Sequence, residues 1–327
     1  MLERYPHNPI LLPNPSNKLI SKKVYNCAII KHQKLYYMFF RGVGDDWISR
    51  IFQATSNDGF NFVISENPVI YPENSWEIKG CEDPRITFVN NRFWISYTAF
   101  DGITARSALA SSSNLSDWKK HNLIFPDLVH PIREDLSANW HKSAAIFPEK
   151  INDKYLLFFG DNHIWSASSD DLINWKSNPE PVISPRDGYF DSAYIEMGPP
   201  PIKTDKGWLI LYHGIDEFKR DRTYRLGAAL MSFEDPLKII WRCSKPILEP
   251  YVEYETRGLI DILPGGFEAI KDITDADIIN LENEHLLPRA IFCCGAIKEN
   301  DNIRIYYGAS DTRICLATID LATILAS

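Results

Sequence analysis

The stretch KLYYMFF, residues 34–40, is the first of five strand-like aromatic runs. RFWISYT (92–98), KYLLFFG (154–160), GWLILYH (207–213) and IRIYYGA (303–309) repeat its character. Each is followed by a run rich in small residues: FQATSNDGFNF from Phe52, SALASSSNLSDW from Ser107, IWSASSDDLINW from Ile164, LGAALMSFEDP from Leu226 and CLATIDL from Cys315. Three of these second runs share one order: small residues, a polar turn with Asp or Asn, then an aromatic. Ala54, Ala110 and Ala167 mark successive copies 56 and 57 residues apart; Ala228 follows 61 later and Ala317 another 89 later. A period of 50–60 residues with several strands per unit is the mark of a β-propeller, in which small sheets bury their faces against one another radially. Five copies predict an all-β, five-bladed β-propeller. The long last interval predicts a short helical insertion in the last blade, at about 260–288, where DITDADIINLENEHLL (272–287) is acidic and free of aromatics. No Gly/Ser or Pro linker divides the chain, so residues 1–327 read as a single domain.

Composition narrows the function. The 327 residues are 45% hydrophobic and 24% charged, ordinary for a globular protein. Nine Trp, 15 Tyr and 17 Phe suit β-sheets and also sugar-binding surfaces, where flat rings stack on pyranose faces. A formal charge of -8 argues against a nucleic-acid partner held through phosphates. The six cysteines form no CxxC pair, so no metal site is expected. No apolar run reaches the ~18 residues of a membrane helix, and no signal segment opens the chain. Reduced thiols, a cytoplasmic location and no membrane partner are the expectation.

Propellers gather functional residues where blades converge on the central axis, and each unit supplies candidates. The first offers Arg41, Asp45, Asp46 and Arg50. The second offers Glu82, Asp83 and Arg85, then Asp101 and Arg106. His141 and Lys142 precede the third. Asp191 and Glu196 precede the fourth, with His213, Tyr224 and Arg225 after it. Asp261, Arg289 and Asp311 belong to the fifth. The densest group is GCEDPR (80–85), where two carboxylates and a guanidinium sit beside a proline that stiffens the backbone. Strand alternation places Glu82 and Asp83 on opposite faces and Arg85 on the face of Asp83.

GCEDPRIT, FPEKINDKY (147–155), GPPPIKTDKGWLILYHG (198–214), YRLGAALMSFEDP and IYYGASDT resemble, in order and spacing, glycoside hydrolase family 130, the β-mannoside phosphorylases and β-mannosidases. The resemblance runs from about Asn8 to Leu321 and breaks at the insertion. It implies a five-bladed propeller and inverting cleavage of a terminal β-linked mannose without metal or other cofactor. It makes Asp83, in the family's EDPR motif, the general acid, acting through a hydroxyl of the bound mannose. Arg41, Asp45, Asp46, Arg50, Glu82, Arg85, Asp101, Lys142, Asp191, Tyr224 and Asp261 are then expected around a β-mannoside oligosaccharide. The chain offers the insertion as a contact in a possible homo-oligomer.

The nucleophile divides the family. A phosphorylase binds inorganic phosphate with basic groups, here Lys142, His213, Arg225 and Arg289. A hydrolase needs a carboxylate that activates water. In this chain Gly160 stands where the resemblance places a phosphate-holding arginine, Tyr194 replaces a basic residue, and Glu196 replaces a glycine. A carboxylate in a phosphate pocket repels the nucleophile. Charge complementarity therefore favours hydrolysis, with Glu196 activating water; phosphorolysis to mannose 1-phosphate is the alternative. The linkage is left open between β-1,2 and β-1,4, with β-1,2 slightly favoured. A non-catalytic carbohydrate-binding propeller would need neither acid nor base. WD or kelch propellers lack support, because their repeat signatures are absent.

Overall fold

The structure is a computed structural model and describes residues 2–128, 140–216, 223–256 and 289–327. The expected insertion falls outside the described residues. The described chain is all-β, built as successive antiparallel units. After the short strand β1 (Glu3–Arg4), the first unit comprises β2 (Lys23–His32), β3 (Leu35–Val43), β4 (Ser49–Ser56) and β5 (Val63–Ile64). The second comprises β6 (Gly80–Val89), β7 (Arg92–Phe100), β8 (Ala105–Ser112) and β9 (Lys119–Leu123). A parallel pairing of Ser49 with Gly80 joins these two into one sheet. The third sheet runs β10 (Ala145–Ile146), β11 (Tyr155–Phe159), β12 (Trp165–Ser169) and β13 (Trp175–Ser177). The fourth holds β14 (Tyr194–Met197), β15 (Ile202–Lys203), β16 (Trp208–Ile215), β17 (Arg225–Met231) and β18 (Ile239–Arg242). The helix α1 (Glu253–Thr256) precedes a fifth unit of β19 (Ile291–Glu299), β20 (Asn302–Ala309) and β21 (Arg313–Asp320), followed by α2 (Leu321–Leu325). β1 pairs antiparallel with β21, so the first strand completes the last sheet.

The repeated runs fall on the second and third strands of each unit, except in the fourth, where the short β15 intervenes and they fall on β16 and β17. The marker alanines face residues across the pair: Met38 opposite Ala54, Ile95 opposite Ala110, Leu157 opposite Ala167, Leu211 opposite Ala228 and Ile305 opposite Ala317. All five alanines are buried, where a larger side chain would hold neighbouring sheets apart. The polar turns close the third strands by one device. Ser56, Ser112 and Ser169 hydroxyls accept from Gly59, Leu115 and Leu172 amides, while Asp58, Asn114 and Asp171 side chains accept from the amides that follow them.

Apolar cores lie between successive units. Phe39, Ile51, Ile86 and Tyr97 pack the first against the second. Trp94, Leu109, Phe159 and Trp165 join the second to the third. Phe158, Trp208, Tyr212, Ile291 and Tyr307 run through the third, fourth and fifth. Phe40, Phe52, Tyr306 and Leu316 pack the fifth against the first. The six cysteines are buried and unbridged.

Candidate active site

Polar residues on the leading strands β2, β6 and β14 meet others at the ends of the aromatic strands β3 and β16. In β6 the register with β7 slips between Glu82, opposite Thr98, and Arg85, opposite Ser96. The extra residue is a β-bulge, and Asp83 takes a left-handed φ of 49°. Pro84 fits there because a bulge leaves one amide unpaired and proline has none to offer. β2 repeats the device: its register slips between Tyr25 and Cys27, and Asn26 has φ 47°. Left-handed non-glycine residues cost about 1–3 kcal/mol each and persist where the surroundings impose them.

The two bulges direct their side chains toward each other. Asn26 Nδ2 donates to Asp83 Oδ1 at 2.9 Å, and Arg41 Nη1 lies 3.3 Å from the same oxygen. Arg41 Nη2 donates to Glu82 Oε1 at 2.6 Å, where Ser49 Oγ also donates at 3.0 Å. The bulge thus overturns the expected alternation, since Glu82 and Asp83 share one guanidinium. Burial pushes the Glu82 carboxyl up against the opposing pull of Arg41. For Arg41, burial is outweighed by Glu82 and neighbouring groups, and its pKa is raised further. Asp311, also left-handed at φ 55°, has its carboxyl raised by burial, with the charges of Lys23 and Arg41 opposing.

Arg85 corrects a second expectation. Its guanidinium does not join the Asp83 carboxylate. Nε donates to Gly198 O at 2.8 Å, Nη2 to Met197 O at 2.8 Å and Nη1 to the backbone carbonyl of Asp83 at 2.9 Å. It ties the second unit to the fourth immediately beside Glu196.

Glu196, in β14, is fully buried. Lys142 Nζ lies 2.9 Å from its Oε1, Ser143 Oγ donates to Oε1 at 2.6 Å, and Tyr194 OH donates to Oε2 at 2.8 Å. Burial raises its pKa, but Lys142 and Ser143 outweigh burial and hold the carboxylate ionised, below its usual range. Lys142 also lies 3.8 Å from Asp161, whose Oδ2 accepts from Trp140 Nε1 at 3.1 Å and from Tyr194 OH at 3.2 Å. Burial pushes the Asp161 carboxyl up. Its Oδ1 is buried without a partner among the described residues. Gly160 before it has φ 115°, and a Cβ there would stand 2.6 Å from His163 O. A side chain at 160 is therefore excluded by the backbone.

His213 pairs opposite Glu196 and stacks on Phe292 at 4.1 Å. Its Nε2 accepts the Cys293 amide at 2.8 Å. The neutral ring then carries its proton on Nδ1, which is buried without a partner among the described residues. Burial, then Arg85 and Lys142, hold its pKa well below the usual value. This histidine is a neutral donor, not the cation expected for an anion site. Tyr224 stands edge-on to Tyr194, His213 and Phe292.

The family model described as beta-1,4-mannooligosaccharide phosphorylase matches residues 3–262 and 282–327. The chain belongs to glycoside hydrolase family 130. It is 34% identical to the 1,2-beta-oligomannan phosphorylase of Thermoanaerobacter sp. (strain X514), over 99% of this chain and 98% of that one. The beta-1,2-mannobiose phosphorylase of Listeria innocua, solved with beta-1,2-mannobiose, superposes with a TM-score of 0.79 at 26% identity, covering 99% of this chain and 98% of the other. A further solved structure, described with glycoside hydrolases of the family that target beta-1,2 mannosidic linkages in Candida mannan, gives a TM-score of 0.80 at 28% identity, covering 98% and 94%. The chain is thus an enzyme of the family 130 mannoside phosphorylases and their relatives.

Other expected site residues of this family 130 chain lie elsewhere. Asp191 is a structural clamp, its two oxygens taken by Arg186, Arg242 and Tyr212. Asp46 and Arg50 pair with each other at 2.7 Å, and Asp45 accepts from Ser21. Asp101 caps the amides of Ile103 and Thr104 and pairs with Arg106. Arg225 pairs with Asp216, and Arg289 is exposed with its carbonyl accepting from Tyr224. Asp261 lies outside the described residues. Asn26, Ser143, Asp161, Tyr194 and Phe292 were not anticipated as site members. The sequence reading marks Gly160 as the departure from the family and leaves Asp161 after it unmarked, and nothing local marks Asn26. Among the described residues no cluster of His, Cys, Asp and Glu can hold a metal, and no helix is long and apolar enough to cross a membrane.

Proposed function

We propose that this protein is an inverting β-mannoside phosphorylase acting on β-1,2-linked manno-oligosaccharides on a single five-bladed propeller. The five units, and the cores that link each to the next and the fifth to the first, support the propeller. The full-length likeness to a 1,2-beta-oligomannan phosphorylase favours phosphate as the nucleophile over water. The observation that carries this choice is the 2.9 Å contact of Lys142 with Glu196. A bare carboxylate would repel phosphate, but here the lysine neutralises it, with Ser143 and Tyr194 donating to the same group. An incoming phosphate meets a neutral pair flanked by the Nδ1–H of His213 and the ring of Tyr224.

In the reaction a phosphate oxygen attacks C1 of the terminal mannose from the face opposite the leaving sugar. The glycosidic C–O bond breaks as the C1–O–P bond forms, giving α-mannose 1-phosphate. Asp83 supplies the proton to the departing oxygen through a mannose hydroxyl. Asn26 and Arg41, both on Oδ1 of Asp83, orient its carboxyl and leave Oδ2 toward the sugar. The second reading, hydrolysis with Glu196 activating water, is favoured by the glycine forced at position 160.

Incubation with β-1,2-mannobiose separates the two. Mannose 1-phosphate is expected, with turnover that requires added phosphate; free mannose released at a phosphate-independent rate would establish the hydrolase. In either case Asp83→Asn is expected to lower kcat by about 10²–10⁴-fold, the usual contribution of a positioned proton donor.

A further inference from the structure

The side chain of Asp83 and its backbone are held by different parts of the molecule. Asn26 and Arg41, both in the first unit, hold the carboxyl. The backbone is left-handed at φ 49°, a conformation that costs a non-glycine residue about 1–3 kcal/mol and sets where the carboxyl points. Arg85 holds it. Its Nη1 turns back to the Asp83 carbonyl at 2.9 Å, while Nε and Nη2 cross to the fourth unit and donate to Gly198 O and Met197 O, each at 2.8 Å.

Three features set Arg85 apart from a packing residue. It is 2% exposed, yet among the described residues no carboxylate pairs with it. Burying a cation is costly, and an apolar side chain of similar size would fill the same space without that cost. Secondly, the far ends of its hydrogen bonds are fixed points. Glu196 and Met197 pair with His213 and Tyr212 of β16, and the Gly198 amide donates to Leu211 O at 3.1 Å. A Cβ at position 198 would stand 2.4 Å from that oxygen, so the backbone there lies directly against its neighbour. Thirdly, a guanidinium presents its donors in one rigid plane. Three carbonyls bound in that plane fix Asp83 in both distance and direction relative to the residues that follow Glu196. The guanidinium carbon also lies 6.0 Å from the centre of the Phe292 ring, which stacks on His213.

We propose that Arg85 is a positioning residue that holds the proton donor Asp83 at a set distance from the nucleophile side at Glu196, without itself touching substrate. The assignment rests on the reading of Asp83 as proton donor and is the same for phosphate or water. An inverting displacement needs proton delivery on one face of the sugar and attack on the other to be aligned on one carbon. A misplacement of about 1 Å in such an alignment costs about 10²-fold in rate. Without the Arg85 fork the Asp83 backbone relaxes toward the extended region and carries the carboxyl away from the sugar.

The test is a double-mutant cycle, with kcat and KM measured on β-1,2-mannobiose with and without phosphate in wild type, Arg85→Met, Arg85→Lys, Asp83→Asn and Asp83→Asn/Arg85→Met. Arg85→Met is expected to lower kcat about 10²-fold and to leave KM for the sugar within about two-fold. Arg85→Lys keeps the charge but not the planar fork, and its kcat stays within about three-fold of Arg85→Met. The double variant turns over within about two-fold of Asp83→Asn, because the group that Arg85 positions is already lost. Losses that multiply in the double variant overturn the proposal, as a general structural defect would act independently of Asp83. So does a raised KM at unchanged kcat, or full recovery in Arg85→Lys. Circular dichroism checks folding; if Arg85→Met does not fold, Arg85→Lys takes its place in the cycle, and if neither folds Arg85 is a structural tie alone and the proposal falls. Wild type that cleaves no mannobiose, or Asp83→Asn with undiminished kcat, instead overturns the reading of Asp83, and the positioning role with it.

Discussion

Asp191 and Glu196 stand five residues apart in the chain, and both side chains are fully buried in the fourth unit. They do opposite work. Asp191 is saturated by two guanidinium groups and the Tyr212 hydroxyl, all rigid donors. Nothing around it waits for a ligand. Glu196 is held by a lysine, a serine and a tyrosine, and its neighbours are incomplete: Asp161 Oδ1 and His213 Nδ1 lack partners among the described residues. A buried charge that is fully paired by arginines is a staple. One set among unpaired donors and acceptors is poised for a molecule that is not part of the protein.

The largest expected difference is in stability. Asp191→Asn leaves two partly buried guanidinium groups against a neutral amide and should cost about 3 kcal/mol, while kcat per folded molecule stays at the wild-type value. Denaturant unfolding with active-site titration measures both, and a lost kcat in fully folded protein would place Asp191 in the site after all.

Glu196→Gln should act on phosphate. With its counter-charge gone, Lys142 offers a net positive charge, and KM for phosphate is expected to fall about ten-fold, or ~1.4 kcal/mol. Initial rates across phosphate concentrations check this. A collapse of turnover at every phosphate concentration would instead make Glu196 the base of a hydrolase.

The smallest effect concerns His213. Its folded pKa is depressed, so below about 6.5 the unfolded chain takes up a proton that the folded one refuses. Its contribution to stability is present above that pH and declines by up to about 1.4 kcal/mol per pH unit as pH falls toward the folded pKa. Unfolding free energies between pH 7.5 and pH 5.5, compared in wild type and His213→Gln, should show a slope shallower by one proton in the variant. Imidazole NMR signals of His213 that titrate near the ordinary value would contradict the buried neutral ring.

Period and composition were enough to read an all-β chain of five similar units, because strand alternation, small residues at sheet contacts and Asx turns are local devices repeated along the sequence. GCEDPR was legible for the same reason, as a compact group of charges. Three things were not. Asn26, Glu82, Asp83 and Glu196 lie on the less conspicuous strands β2, β6 and β14, not in the aromatic repeat. The bulges at Asn26 and Asp83 break the period of two, and a break in period is set by the neighbouring strand, not by the residue itself. The roles of the buried carboxylates depend on partners far away: Ser143 is 53 residues from Glu196, Arg242 is 51 from Asp191, and Arg85 reaches 113 residues to Gly198. The sequence alone therefore determined which chemistry-bearing groups exist and how often the sheet repeats. The tertiary structure alone decided which carboxylates are already neutralised by the protein and which are left beside open donors, because that is a matter of distance between units.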